Sequence, residues 1–101
     1  MKDTCKIRIT DATSPSDMDS FFCNVWSRNR PVHLLLDTTQ CKRVSLTRIL
    51  SMKGVLNKHR NNSKKYIEYT TIMVKSRLVK NLLRVGLSIL KSERPVYIET
   101  L

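Results

Sequence analysis

The run Val32-His33-Leu34-Leu35-Leu36 constrains the fold more than any other feature of the chain. It is apolar at four of its five positions and does not alternate. That is the pattern of a strand covered on both faces, as in a parallel sheet, rather than one lying half in water. Such a strand needs helices beside it, and the flanking sequence supplies them. Met18, Phe21, Phe22, Val25 and Trp26 recur at i, i+3, i+4, i+7 and i+8, which places them in one stripe along a helix. Leu46, Ile49, Leu50, Met52, Val55 and Leu56 recur in the same manner through a second helix running to about Arg60. The expectation is an interior strand, Val32 to Asp37, sandwiched by these two stripes.

Local signals set the limits of each element. Ser14 is placed to cap the first helix, Pro15 suits its first turn, Asp17 and Asp19 complement the positive end of its dipole, and Pro31 ends it. Ser45 is placed to cap the second helix, and Gly54 interrupts it, predicting close packing on the sheet or a bend. Asn61-Asn62-Ser63-Lys64-Lys65 reads as a charged turn before a β-rich run, Tyr66 to Val74, that forms a third strand. Ser76 caps a third helix with Leu78, Val79, Leu82, Leu83 and Val85 expected inward and Arg77, Lys80 and Arg84 on the other side. Gly86 is its expected stop, Leu87 to Leu90 an apolar connector, and Val96-Tyr97-Ile98 after Pro95 a short fourth strand. At the front, Cys5, Ile7 and Ile9 alternate with Lys6 and Arg8, as in an edge strand. An exposed edge can pair with another chain, so Ile7 and Ile9 are candidates for docking or for a homodimer through that edge.

The order β-α-β-α-β-α-β within 101 residues predicts one α/β domain spanning residues 1–101, with about four mostly parallel strands covered by about three helices through right-handed crossovers. Hydrophobic residues make up 41% of the chain, enough for one core and too many for a disordered basic tail. Two Gly and three Pro are too few for a sandwich of short, tightly turned strands. No window approaches the roughly 18 apolar residues of a membrane span, and Met1 to Thr10 lacks a signal-peptide run, so a soluble, intracellular protein is expected.

Few residues invite chemistry. Cys5, Cys23 and Cys41 are scattered and odd in number, which predicts three small packing residues rather than a disulfide framework or a zinc site. His33 and His59 are isolated, and no metal or cofactor is expected. His33 reads either as a buried ligand or base or as a histidine hydrogen-bonded at the core. There is no Gly-rich phosphate loop, nucleophile elbow or useful His and carboxylate pairing, and the chain is expected not to be an enzyme. Asp37 stands at the carboxyl end of the central strand, where open α/β sheets place ligands, but a single carboxylate there more simply caps its own loop through Thr38 or Thr39.

A strand ends in Asp at Leu34-Leu35-Leu36-Asp37, the following helix starts at Val44-Ser45-Leu46-Thr47, and Leu82-Leu83-Arg84-Val85-Gly86-Leu87 stands near the close of a later helix. On these motifs the chain from Met18 to Ile98 resembles a STAS domain, the module of bacterial anti-sigma-factor antagonists and of sulfate-transporter tails. The resemblance implies a STAS-like fold and non-catalytic docking on another protein. Signalling members carry a phosphorylated Ser or Thr at that helix start. Here Leu46 falls where the first Ser of the Asp-Ser-Ser-Gly-like motif would stand, and Ser45 and Thr47 are the flanking hydroxyls left as candidates for phosphorylation or docking. A phosphate at this helix start would sit beside Lys42, Arg43 and Arg48, and the alternative is that Ser45 is a plain cap and Thr47 a surface residue.

The charge is uneven. Of the net +11, residues 1–37 contribute nothing, because five basic side chains meet five acidic ones. Residues 38–92 hold thirteen basic residues against Glu68 alone. Lys42, Arg43, Arg48, Lys53, Lys58, Arg60, Lys64, Lys65, Lys75, Arg77, Lys80 and Arg84 are the candidate polyanion contacts, forming a positive surface on the second and third helices and their loops. Such a field draws nucleic acid, acidic protein or an anionic membrane surface alike. The sequence therefore supports a non-enzymatic protein-interaction or scaffold module with a basic surface. Its alternative is a small basic protein that associates with nucleic acid inside a larger assembly or viral particle, and the richness in Lys, Asn, Ser, Ile and Met suits an AT-rich genome such as that of a large DNA virus.

Overall fold

A computed structural model gives the fold and describes residues 3–42, 44–90 and 94–100. The elements run β1 (Asp3–Arg8), α1 (Pro15–Trp26), β2 (Val32–Asp37), α2 (Leu46–Leu50), α3 (Lys53–Lys58), α4 (Arg60–Tyr66), β3 (Ile67–Val74), α5 (Arg77–Leu90) and β4 (Val96–Thr100). The strands form one sheet in the order β1-β2-β3-β4, every pair parallel. This is the expected α/β domain, with β2 inside the sheet and β1 at an edge.

The strand order decides where the helices lie. Each connection advances one strand in the same direction, and a right-handed crossover then puts its helix on the same side every time. Packing agrees with this. Met18, Phe22 and Val25 of α1 cluster with Cys5, Val32, Leu34 and Ile67. Val79 and Leu83 of α5 cluster with Ile72 and Val74, and Leu36, Ile49, Val96 and Ile98 close around them. All these strand residues point to one face. The expectation that β2 is covered on both faces is therefore corrected: among the described residues, helices cover one face only. Leu35 is the residue that made the run look continuous, and it lies on the other face.

Helix α1 forms where its signals place it. Ser14 Oγ accepts the amide of Asp17 at 3.1 Å and the Asp17 carboxylate accepts the amide of Ser14 at 2.9 Å, a reciprocal capping box with Pro15 at the first helical position. The predicted second helix is instead broken into α2, α3 and α4. Ser51 Oγ donates to the carbonyl of Arg48 at 2.5 Å, a local bond that competes with helix propagation at the α2–α3 junction. Residues 61–65, expected as a turn, lie within α4, which runs directly into β3.

The two glycines depart from expectation in different ways. A Cβ on Gly54 would meet nothing within 4 Å, so close packing does not explain it, although the helix does break just before it. Gly86 does not stop α5, which continues to Leu90. A Cβ there would lie 2.6 Å from Ile49 Cγ2, so Gly86 is the point where α5 meets α2. Within α5, Val79 and Leu83 are buried as expected, whereas Leu78 and Val85 are 80% and 50% exposed. An apolar cavity of about 220 Å³ lies under the helices, bounded by residues of both core clusters, among them Leu34, Ile72, Met52, Leu56 and Leu83.

Candidate functional site

The uncovered face of the sheet is built by parity. Facing residues in a parallel pair share a side, so the register lays three rows across the open face. One row is Thr4, His33 and Tyr69; the next is Lys6, Leu35, Thr71 and Tyr97; the third is Arg8, Asp37, Met73 and Glu99. A register shift between Val32 and His33 skips Glu68 and brings Tyr69 opposite His33. Aromatic side chains run along the surface: His33 stacks on Tyr69 at 4.1 Å between centroids, and Tyr69 meets Tyr97 edge-on at 5.9 Å. His33 Nε2 lies 2.9 Å from Thr71 Oγ1, which Tyr97 and Leu35 flank in register. His33 is thus the hydrogen-bonded histidine of the two readings, half-buried on this face. Tyr97 is 55% exposed.

The charges on this face balance. Lys6 and Arg8 sit on β1, Asp37 on β2 and Glu99 on β4. Asp37 Oδ1 accepts both the amide of Thr39 at 3.0 Å and its hydroxyl at 2.6 Å, the local bond expected of a loop cap. These bonds hold its carboxyl below the ordinary aspartate value, assisted by Lys6 and Arg8. The strand order 1-2-3-4 has no reversal, so the carboxyl ends of the strands form no switch-point crevice of the kind that holds ligands in doubly wound sheets.

None of the described candidate basic residues belongs to a strand. Lys42, Lys53, Lys58, Arg60, Lys64, Lys65, Lys75, Arg77 and Arg84 are exposed, and Lys80 is half-buried, all on the helix layer or its loops. Arg43 lies outside the described residues. Arg48, a candidate polyanion contact, is half-buried. It donates to the carbonyls of Thr10 and Thr13 and pairs with Asp11 at 3.3 Å, binding the start of α2 to the β1–α1 loop. Ser45 Oγ accepts the amide of Arg48 at 3.2 Å as the cap of α2, and Thr47 is exposed in its first turn.

One constellation was not anticipated in the sequence. Trp26 Nε1 donates to His59 Nδ1 at 2.9 Å, which leaves the ring proton on Nε2, 2.5 Å from Asp19 Oδ1. Lys58 Nζ lies 3.0 Å from the other Asp19 oxygen. His59 is only 4% exposed and packs against both Phe22 and Trp26. The hydrogen bond from His59, then that from Lys58, lowers the Asp19 pKa. Asp19, Cys23 and His59 bring donor atoms within 4.8 Å of one another, a spacing a metal could use. The hydrogen bonding opposes it: a metal on Nε2 would drive the proton to Nδ1, where it would face the indole N–H. The chain Trp26-His59-Asp19 reads as a structural clamp of α1 on the α3–α4 junction. The only sequence signal was the position of Trp26 and Asp19 on one helix, and their partner lies 33 and 40 residues away.

The cysteines divide. Cys5 and Cys41 are buried as expected, Cys41 donating to the Ile9 carbonyl at 3.2 Å with its thiol pKa raised by burial, but Cys23 is exposed. Among the described residues no helix is long and apolar enough to cross a membrane. Comparison with protein-family models, curated proteins and solved structures finds no match to this chain.

Proposed function

We propose that this chain is a non-enzymatic protein-interaction or scaffold module that engages a protein partner through the uncovered face of its sheet. One observation carries the reading: among the described residues an all-parallel sheet, normally covered on both faces, has helices on one side only, leaving Leu35, Tyr69, Met73 and Tyr97 on the other. A surface with an aromatic and aliphatic centre and charges at its margins has the anatomy of a protein interface. The resemblance to STAS modules at Leu34–Asp37 and Leu82–Leu87 accords with docking rather than catalysis.

A second reading, nucleic-acid association within a larger assembly or particle, is favoured by α3 and α4. Lys53, Lys58, Arg60, Lys64 and Lys65 follow one another there with no acidic residue between. The two readings separate in one experiment. A photo-reactive side chain placed at Tyr97 or at Arg77 is exposed to extract of the native source at moderate salt, and binding of generic DNA and RNA is measured across salt. The interaction module predicts a discrete protein adduct at position 97 and weak nucleic-acid binding. Absence of any adduct at 97, together with affinity for DNA or RNA that falls steeply with salt, would replace it with the second reading.

A further inference from the structure

The register of the open face favours one occupant. We propose that this face, read above as the docking surface, is filled by a second copy of the same chain, sheet against sheet, about a two-fold axis parallel to the strands. The inference rests on that reading and names its partner.

A two-fold axis along the strands, midway between facing sheets, carries β1 of one copy over β4 of the other and keeps the rows level. Arg8 then meets Glu99, Lys6 meets the ring of Tyr97, and His33 meets Tyr69, each contact made twice by symmetry. The other in-plane two-fold, perpendicular to the strands, sets β1 over β1 and brings the Lys6 and Arg8 strand against its own copy. The charge pattern therefore selects one axis. Parallel alignment of two sheets within about 30° is also the ordinary geometry of face-to-face packing.

A chain of net +11 would be expected to repel itself. Most of the excess lies on α3, α4 and α5, in a helix layer roughly 10 Å thick behind the sheet, whereas the open face carries Lys6 and Arg8 together with Asp37 and Glu99. At physiological salt the screening length is about 8 Å, so the two basic layers interact weakly across the dimer. A polyanion is a poorer occupant, since Asp37 and Glu99 would face its phosphates.

Sedimentation and light scattering over a range of concentrations test the proposal on the whole chain, with generic single-stranded RNA titrated in parallel. The expected result is a reversible dimer that Arg8→Glu and Glu99→Arg each weaken by about tenfold or more and that the combined R8E/E99R restores. Restoration excludes misfolding as the cause of the single losses. A monomer at all concentrations, a dimer indifferent to the single reversals (as pairing through the β1 edge would be), or failure of R8E/E99R to restore would overturn it. So would single-stranded RNA binding abolished by Tyr97→Ala. Thiol labelling of Tyr97→Cys in a Cys23→Ser background separates the two levels. A monomer that labels rapidly leaves the open docking face standing without self-association, and a monomer protected from label overturns both.

Discussion

Gly54 and Gly86 undergo the same substitution with opposite expected signs. Both lie in helices, and replacing Gly by Ala there removes backbone freedom worth about 0.5–1 kcal/mol. At Gly54 nothing stands within 4 Å of the added methyl, so Gly54→Ala should stabilise by about that amount. At Gly86 the methyl would sit 2.6 Å from Ile49 Cγ2, where carbon atoms rest at about 3.5–4.0 Å, so either the Ile49 side chain leaves its place or α2 and α5 move apart by roughly 1 Å. Overpacking of this kind costs about 1–3 kcal/mol. The propensity gain is common to both variants, so the difference between them isolates the collision, about 2 kcal/mol or on the order of 10 °C in melting temperature. Urea and thermal unfolding measure it. In an Ile49→Ala background the collision is absent, and Gly86→Ala should become stabilising, a coupling that a double-mutant cycle reads directly. Equal stabilisation by both glycine substitutions in the native background would refute the α2–α5 contact and the placement of α2 that depends on it.

Removing His59 should be costly, because His59→Ala leaves the Trp26 N–H without its acceptor and Asp19 without its donor. A loss of about 2–4 kcal/mol with a shift in tryptophan emission is expected. The lowered pKa values of Asp19 and Asp37 link folding to acid: their contribution is full above the ordinary aspartate value, 3.8, and is lost as pH falls through the lower folded values. Asp19→Asn and Asp37→Asn should therefore each flatten the acid limb of the stability curve, measured by urea unfolding between about pH 5 and pH 2. Ser45→Ala should cost about 1 kcal/mol as loss of a helix cap, and Thr47→Ala should leave stability nearly unchanged.

The fold was legible where the chain speaks locally. The cap at Ser14, the stripe from Met18 to Trp26 and the alternation that starts at Cys5 each depend on neighbours in sequence, and α1 and β1 stand close to where they are expected, β1 ending at Arg8 before Ile9. Side of packing was not legible, because Leu35 in a continuous apolar run looks the same whether a helix covers it or not. Only the strand order, a set of long-range pairings, decides the matter. The same holds for Gly86, whose reason is Ile49 on another helix, and for His59, whose partners are distant in sequence. The open face had a faint signature: Tyr97 stands alone between Val96 and Ile98, and Tyr69, Thr71 and Met73 alternate with Thr70, Ile72 and Val74. Those positions read as strand alternation, but without the register they could not be joined into one surface with Lys6, Arg8 and Glu99. The basic residues were legible as a count and not as a map, since Arg48 is consumed by the β1–α1 loop.

Among the described residues, helices cover one face of the sheet and leave the other without a helix layer. Ile72 and Met73 are adjacent in β3 and point to opposite faces. Methyl NMR with a soluble paramagnetic chelate, on protein diluted to the monomer, compares them within one strand. The Met73 methyl should broaden strongly and the Ile72 methyl should stay protected; equal protection of both would mean that a second layer covers the face and would contradict the open sheet.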